Sequence, residues 1–441
     1  MSAISQIKWG WLTKIAYWGG QIAEGVKSTA FGAFLLFYYN QVLGLSGTAS
    51  GLAIMISVVF DAVTDPLIGS VSDGWRSRWG RRHPFMYASA LPMGLSLYLI
   101  FNPMVDTQVG LFAWLLVFSI LTRLTMTLYS VPHLALGAEM SSEYHERTVI
   151  AAGRSIFGRV GEGLVYLAAS ILFVATAEFE NGQLDESVYP FFALVISLLV
   201  TISIFGSALG THHVIPSLLS PEKPGHNAFK QVVLDTAEAL KNISFRWVLT
   251  GFLVVSMPVG VGGALVFYMN TFFWQISTES TMMILLAYTI SVGIGYFFAP
   301  LFGQYLEKRF LLGLGALGWG LFSIAPVCLH YLGLFPTPGS GEVVYGLGIC
   351  QVMAGLLVSQ VGVAVSSMLA DVADEQELSS KKRQEGVFFG TYVFVLKATS
   401  GIGGAIAGIA LDLISWPLGD NVKTFADVPA ESLFLLSIVA G

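Results

Sequence analysis

Asp61 and Asp65 stand four residues apart inside a long apolar stretch, Ala53 to Ser72. On a helix that spacing sets both carboxylates on one face. An ionised side chain near the centre of a bilayer costs roughly 2.5–3.5 kcal/mol on the gentler insertion scales. Two acids on one face therefore call for a water-filled cavity and a positive partner, which makes this stretch the first candidate for a cation site. Other charges fall inside apolar segments: Lys397, Arg123, Arg154, the pair Arg159 and Glu162, and the pair Glu24 and Lys27. Each of the two pairs is spaced three apart and reads equally well as a closed ion pair. Lys397, buried, needs a counter-charge or must lose its proton.

Membrane helices have to hold such residues, and the composition agrees. Of 441 residues, 54% are hydrophobic and 11% charged, against about 25% charged in a soluble domain. Lipid must cover much of this surface. The net charge of −6 is divided among loops. No acidic or basic tail points to a nucleic-acid partner. The N-terminus lacks a short apolar core followed by a small-residue cleavage site, so no removable signal peptide is expected. Cys328 and Cys350 lie in apolar runs and read as buried thiols rather than a disulfide or a metal site. His212 and His213, as helix neighbours, would point apart, which does not suit a metal.

Apolar segments of bridging length, about 20 residues each, recur at 14–41, 48–72, 84–104, 109–138, 150–176, 188–211, 245–274, 281–306, 309–333, 342–370 and 386–416. A further run opens at Leu433 and reads as a twelfth helix cut short by the end of the chain. Basic residues mark alternate loops: Arg76, Arg78, Arg81 and Arg82; Arg147; Lys223, Lys230, Lys241 and Arg246; Lys308 and Arg309; Lys381 to Arg383. The intervening loops are acidic apart from Lys423. Loop positive charge then puts the basic loops and both termini in the cytoplasm. The longest loop divides the chain into an N-terminal six-helix half at 1–211, a linker at 212–243 and a C-terminal half at 244–441. Phe229 to Leu240 in that linker reads as a short surface helix. An internal repeat supports the halves: Asp65-Pro66-Leu67-Ile68-Gly69 is echoed by Ala299-Pro300-Leu301-Phe302-Gly303, and Leu136-Gly137-Ala138-Glu139 by Leu369-Ala370-Asp371, both at an offset of about 230 residues. Asp65 becomes Ala299, so the acid exists in one half only.

The run Asp61-Ala62-Val63-Thr64-Asp65-Pro66-Leu67-Ile68-Gly69, then Asp73, then Arg76-Ser77-Arg78-Trp79-Gly80-Arg81-Arg82, resembles the glycoside–pentoside–hexuronide:cation symporters of the major facilitator superfamily, the group of melibiose permease. The likeness continues through Tyr38-Tyr39, Val131-Pro132, Leu136 to Glu139, Arg154, Ala370 to Asp374 and Lys397, over nearly the whole chain. It implies an all-α membrane protein with two six-helix halves around a central cavity. It also implies a cation site at Asp61, Thr64, Asp65 and Thr127, for transported Na⁺, Li⁺ or H⁺ with no further cofactor. Two such close carboxylates repel, so without a metal ion one is expected to hold a proton. The resemblance gives Lys397 a role linking the halves and Arg154 one in substrate binding. It makes Asp73, Arg81, Arg82, Glu139 and Asp371 gate residues, the salt bridges of Asp73 and the arginines being expected to stabilise the outward-facing state.

The sugar site of that family does not carry over. Its first-helix aspartate falls on Gly25 and its fourth-helix aspartate on Ser130. Its stacking tryptophans fall on Leu134 and near Gly362. Sugar hydroxyls want acidic acceptors and pyranose faces want flat rings, so a melibiose-like galactoside is not expected. Gly25, Ser130, Glu24, Tyr392, Arg154 and Lys397 remain the substrate candidates. The expected function is cation-coupled symport of a glycoside, uronide or related small solute by alternating access. The setting is a bacterial-type inner membrane, and the protein is a monomer with lipid, solute and a monovalent cation as its partners. A lysolipid carrier is the alternative within transport. A remote one is an intramembrane Mg²⁺-dependent prenyltransferase, with Asp61 and Asp65 facing Asp371 and Asp374; such sites need more clustered acids, and no enzyme is expected.

Overall fold

The computed structural model describes residues 9–140, 143–218, 237, 239–380, 385–419, 422 and 424–440. Lys223, Lys230, Lys381 to Arg383, Lys423 and most of Phe229 to Leu240 lie outside them. The described residues form twelve helical segments. They are α1 (11–42), α2 (Gly47–Gly74), α3 (His83–Ile100), α4 (Gln108–Glu139), α5 (Tyr144–Leu172) and α6 (Tyr189–Gly210), then α7 (Ile243–Phe273), α8 (Thr278–Gly303), α9 (Lys308–Tyr331), α10 (Gly341–Ser380), α11 (Glu385–Leu413) and α12 (Ala430–Ala440). Nine of them, among the described residues, are individually long and apolar enough to cross a bilayer. Short polar side chains start the helices by capping free backbone N–H groups. Ser46 accepts from Ala49, Thr107 from Gly110, Asn242 from Phe245 and Ser277 from Ser280.

The repeat seen in the sequence is also a repeat of shape. α1 ends in a π-turn at Tyr38–Val42 and α7 in one at Met269–Phe273. Each is followed by a residue of positive φ, Gly44 at 71° and Gln275 at 53°, and then by the serine that caps the next helix. α2 and α3 pack on α4, and α3 on α6, while α8 and α9 pack on α10. The halves meet along three lines: α2 on α11, α5 on α8, and α1 on α7.

The α2–α11 line is built of glycine. A Cβ at Gly47 would fall 2.3 Å from the Gly408 carbonyl oxygen, and one at Gly51 would fall 2.8 Å from the Ala405 Cα. The first loop reaches Gly44 to Gly419 in the same way. Small residues let backbones touch where lipid gives no hydrophobic drive. Around this contact sits a set of buried polar bonds between halves. Tyr268 donates to Asn40 Oδ1 at 2.7 Å, Trp416 Nε1 to Gln41 Oε1 at 2.7 Å, and Gln183 Nε2 to Thr271 Oγ1. The Asp412 carboxylate accepts from the Gly47 and Thr48 N–H groups, each at 2.8 Å, so one half caps a helix of the other. These bonds between the halves gather at one end of the molecule. Gly408→Ala is expected to force α2 and α11 apart here. Maleimide labelling of Asn40→Cys in a cysteine-free background should then rise well above that of the unsubstituted glycine.

Two expectations need correction. Cys328 is exposed and Cys350 half-buried; their apolar runs face the bilayer, where a thiol needs no core around it. The tenth segment does not end near 370: α10 continues to Ser380, because Asp371 to Ser380 is a run of helix-compatible residues with no glycine or proline. Asp371 and Asp374 therefore lie within a helix rather than at its end.

Candidate cation and substrate site

α2 sets Ser57, Asp61 and Asp65 one turn apart on a single face, and α4 does the same with Arg123 and Thr127. Packing of α2 on α4 brings the two faces together. Thr127 Oγ1 lies 2.7 Å from Asp61 Oδ1 and 2.9 Å from Asp65 Oδ1. One hydroxyl carries one proton, so it donates fully to one carboxylate at a time and leaves the other in need of a partner. Lys397, coming across from α11, supplies it: Nζ stands 3.0 Å from Asp61 Oδ2 and 2.5 Å from Asp65 Oδ2. The Asp61 side chain is 4% exposed, those of Asp65 and Lys397 25% and 26%. Asp61 is thus the buried anchor, and Asp65 the acid within reach of solvent.

Arg123 is the residue that sequence reasoning left without a role. Its guanidinium donates through Nε to Ser57 Oγ at 2.9 Å, lies over the Phe31 ring at 4.9 Å, and places Nη1 3.7 Å from Asp61 Oδ2. The signal was available in its four-residue spacing from Thr127. Lys27 pairs with Glu24 at 2.7 Å on α1, near enough for both to act electrostatically on Asp61. The pocket therefore holds three acids (Glu24, Asp61, Asp65) and three bases (Lys27, Arg123, Lys397), which cancel. The oxygens it offers are those of two carboxylates and a hydroxyl, a donor set for a small hard cation. Among the described residues no group of three or more His, Cys, Asp and Glu side chains is placed to hold a metal.

The other candidates fall at varied places. Thr64 is buried, and its hydroxyl donates to the Asp61 backbone carbonyl at 3.1 Å, so it faces its own helix turn. Arg154 is half-buried and donates to Gln21 Oε1 at 3.1 and 3.2 Å. Tyr392 packs on Phe252 with ring centroids 4.7 Å apart, and Ser130 is half-buried. Gly25 cannot line a cavity: a Cβ there would lie 2.0 Å from the Gly158 carbonyl oxygen, because α1 and α5 cross at this point. The expectation that Gly25 meets substrate is corrected accordingly. The gate residues make the expected salt bridges, but each cluster closes within one half. Arg81 and Arg82 reach Glu139 at 2.7 and 3.0 Å, Arg82 reaches Asp73 at 2.5 Å, and Lys308 reaches Asp371 at 2.6 Å. Among the described residues they fix the ends of neighbouring helices and do not tie the two halves together.

Comparison with known proteins agrees with this architecture. Residues 16–438 match the family model described as MFS/sugar transport protein. A putative glycoside/cation symporter of Escherichia coli, YagG, is 26% identical, over 97% of this chain and 87% of the relative. A glucuronide carrier protein homolog of the same organism is 23% identical, over 94% and 86%. Among solved structures, a mutant of the nucleoside transporter NupG superposes with a TM-score of 0.63 at 15% identity, over 98% of this chain and 96% of that one.

Proposed function

We propose, because this chain belongs to the MFS/sugar transport protein family, that it is a cation-coupled symporter for a glycoside or uronide, with Asp61, Asp65 and Thr127 as its cation site. Family membership makes it a multi-pass membrane transporter and not an enzyme; the coupling, the cargo class and a bacterial inner-membrane setting with cytoplasmic termini are our reading. The names of its relatives, a glycoside/cation symporter and a glucuronide carrier, support the cargo class.

The observation that carries the coupling is Lys397. Its ammonium lies across both carboxylates, where a transported cation would have to bind. Lys397 belongs to α11 and the acids to α2, so it is also a tie between the halves. An arriving Na⁺ or proton takes over the negative charge, frees Lys397 and loosens that tie. Cation and cargo are then linked because each changes the affinity of the cavity for the other. The bonds at the glycine-lined end describe a carrier closed there. By the positive-inside rule that is the outer side, so the state at hand is closed to the outside. A tenfold sodium gradient supplies about 1.4 kcal/mol and 100 mV about 2.3 kcal/mol, enough at one cation per cargo for accumulation of several hundredfold.

Proteoliposomes loaded by an inward sodium or proton gradient test this with radiolabelled methyl glycosides and methyl glucuronides. Uptake above equilibrium that collapses when an ionophore removes the gradient is the expected result. Uptake equal with and without every cation gradient would sink the proposal.

A further inference from the structure

Arg159 and Glu162 lie at the middle of α5, 2.7 Å apart, yet their side chains are 34% and 21% exposed. Ionised groups at that depth stay out of lipid and turn to a water-filled space. This part of α5 faces the other half: a Cβ at Gly163, one residue on, would meet the Leu286 side chain of α8 at 3.2 Å. Tyr288 and Tyr296 follow on α8, eight residues apart and so near one face. Both are half-buried, and both are close enough to act on the Arg159 charge. The Tyr296 hydroxyl stands 3.7 Å from where a Cβ of Gly362 would be, so its ring fills the flank that α10 leaves open.

This arrangement has the chemistry of polyol recognition. Glu162 offers acceptor oxygens and Arg159 a fan of donors, while a ring hydroxyl both donates and accepts. Tyrosine rings give flat apolar faces with a polar rim. The pair is closed on itself and neutral, so it has no surplus charge with which to attract a carboxylate. We propose that the hydroxyl-bearing ring of the cargo binds between α5 and α8, against Arg159, Glu162, Tyr288 and Tyr296, and that this cargo is an uncharged glycoside. The inference rests on the symporter reading above, and narrows its cargo.

Thermal unfolding of the purified full chain tests it, with methyl glucosides, galactosides and xylosides and methyl glucuronide as probes, each with and without sodium. At least one neutral glycoside should raise Tm. Its Kd should weaken by at least about tenfold in Tyr296→Ala, with the unfolding midpoint in sodium alone unchanged, and in Glu162→Gln, whose midpoint is expected to fall because Arg159 loses its partner. Equal affinity in both variants, protection by the glucuronide alone, or no protection by any neutral glycoside overturns the proposal. Glycoside binding that is lost in Glu162→Gln but indifferent to sodium and pH supports this site while removing the cation coupling.

Discussion

Asp65→Asn is expected to abolish cation-driven accumulation while leaving a folded, membrane-inserted protein. Asp65 is the acid that solvent reaches, and it makes the shortest contact of the pocket, to Lys397. The amide keeps the shape and the Thr127 contact but removes one of three negative charges. The pocket then carries a surplus positive charge before any cation arrives, and the incoming ion meets repulsion instead of attraction. Asp61 still pairs with Lys397 and Arg123, so no buried base is stranded and the fold survives. The predicted loss of cation-coupled uptake is at least about 100-fold, equivalent to about 2.7 kcal/mol. Downhill exchange of cargo across the same vesicles should persist. Full coupled uptake by the variant would show that the cation binds elsewhere.

Lys397→Ala makes the opposite prediction for binding. Removing one partner of a buried ion pair strands the other, at about 3–5 kcal/mol. Here the stranded group is Asp65, left with only the Thr127 hydroxyl, while Asp61 keeps Arg123 beside it. The variant without cation should unfold at a lower temperature than the wild type, and sodium or acid should restore it. Sodium should also bind more tightly, since it no longer displaces a resident ammonium, and the apparent Kd should fall at least about tenfold. Concentrative uptake should stop, because cation binding no longer releases a tie between α2 and α11. Weaker sodium binding in this variant would mean that Lys397 helps to build the cation site and does not compete for it.

Much of this was legible in the chain because it depends on patterns within one helix. Span positions follow from apolar length. The acid pair announces itself by cost, since Asp61 and Asp65 have no reason to be in a bilayer without a partner, and Lys397 is its mirror image. What could not be read depends on which helices meet. Asn40 and Gln41 look like ordinary polar residues at the end of the first span, and only the approach of α7 and the segment after α11 turns them into buried acceptors for Tyr268 and Trp416. Gly25 looks like a lost side chain, until the crossing of α5 shows that none would fit. Asp73, Arg81 and Asp371 advertise salt bridges, but their sequence does not say that the bridges stay within a half. Arg159 and Glu162 pair as their spacing allows, yet the tyrosines opposite them come from another half of the protein.

The exact balance of Glu24, Asp61 and Asp65 against Lys27, Arg123 and Lys397 bears on how membrane voltage acts. A pocket whose charges sum to zero gives the field nothing to pull on when it returns empty. One monovalent ion in the pocket changes that sum by one, and the field then does about 2.3 kcal/mol of work per 100 mV across the full membrane thickness. Voltage therefore drives the laden crossing and leaves the return to thermal motion.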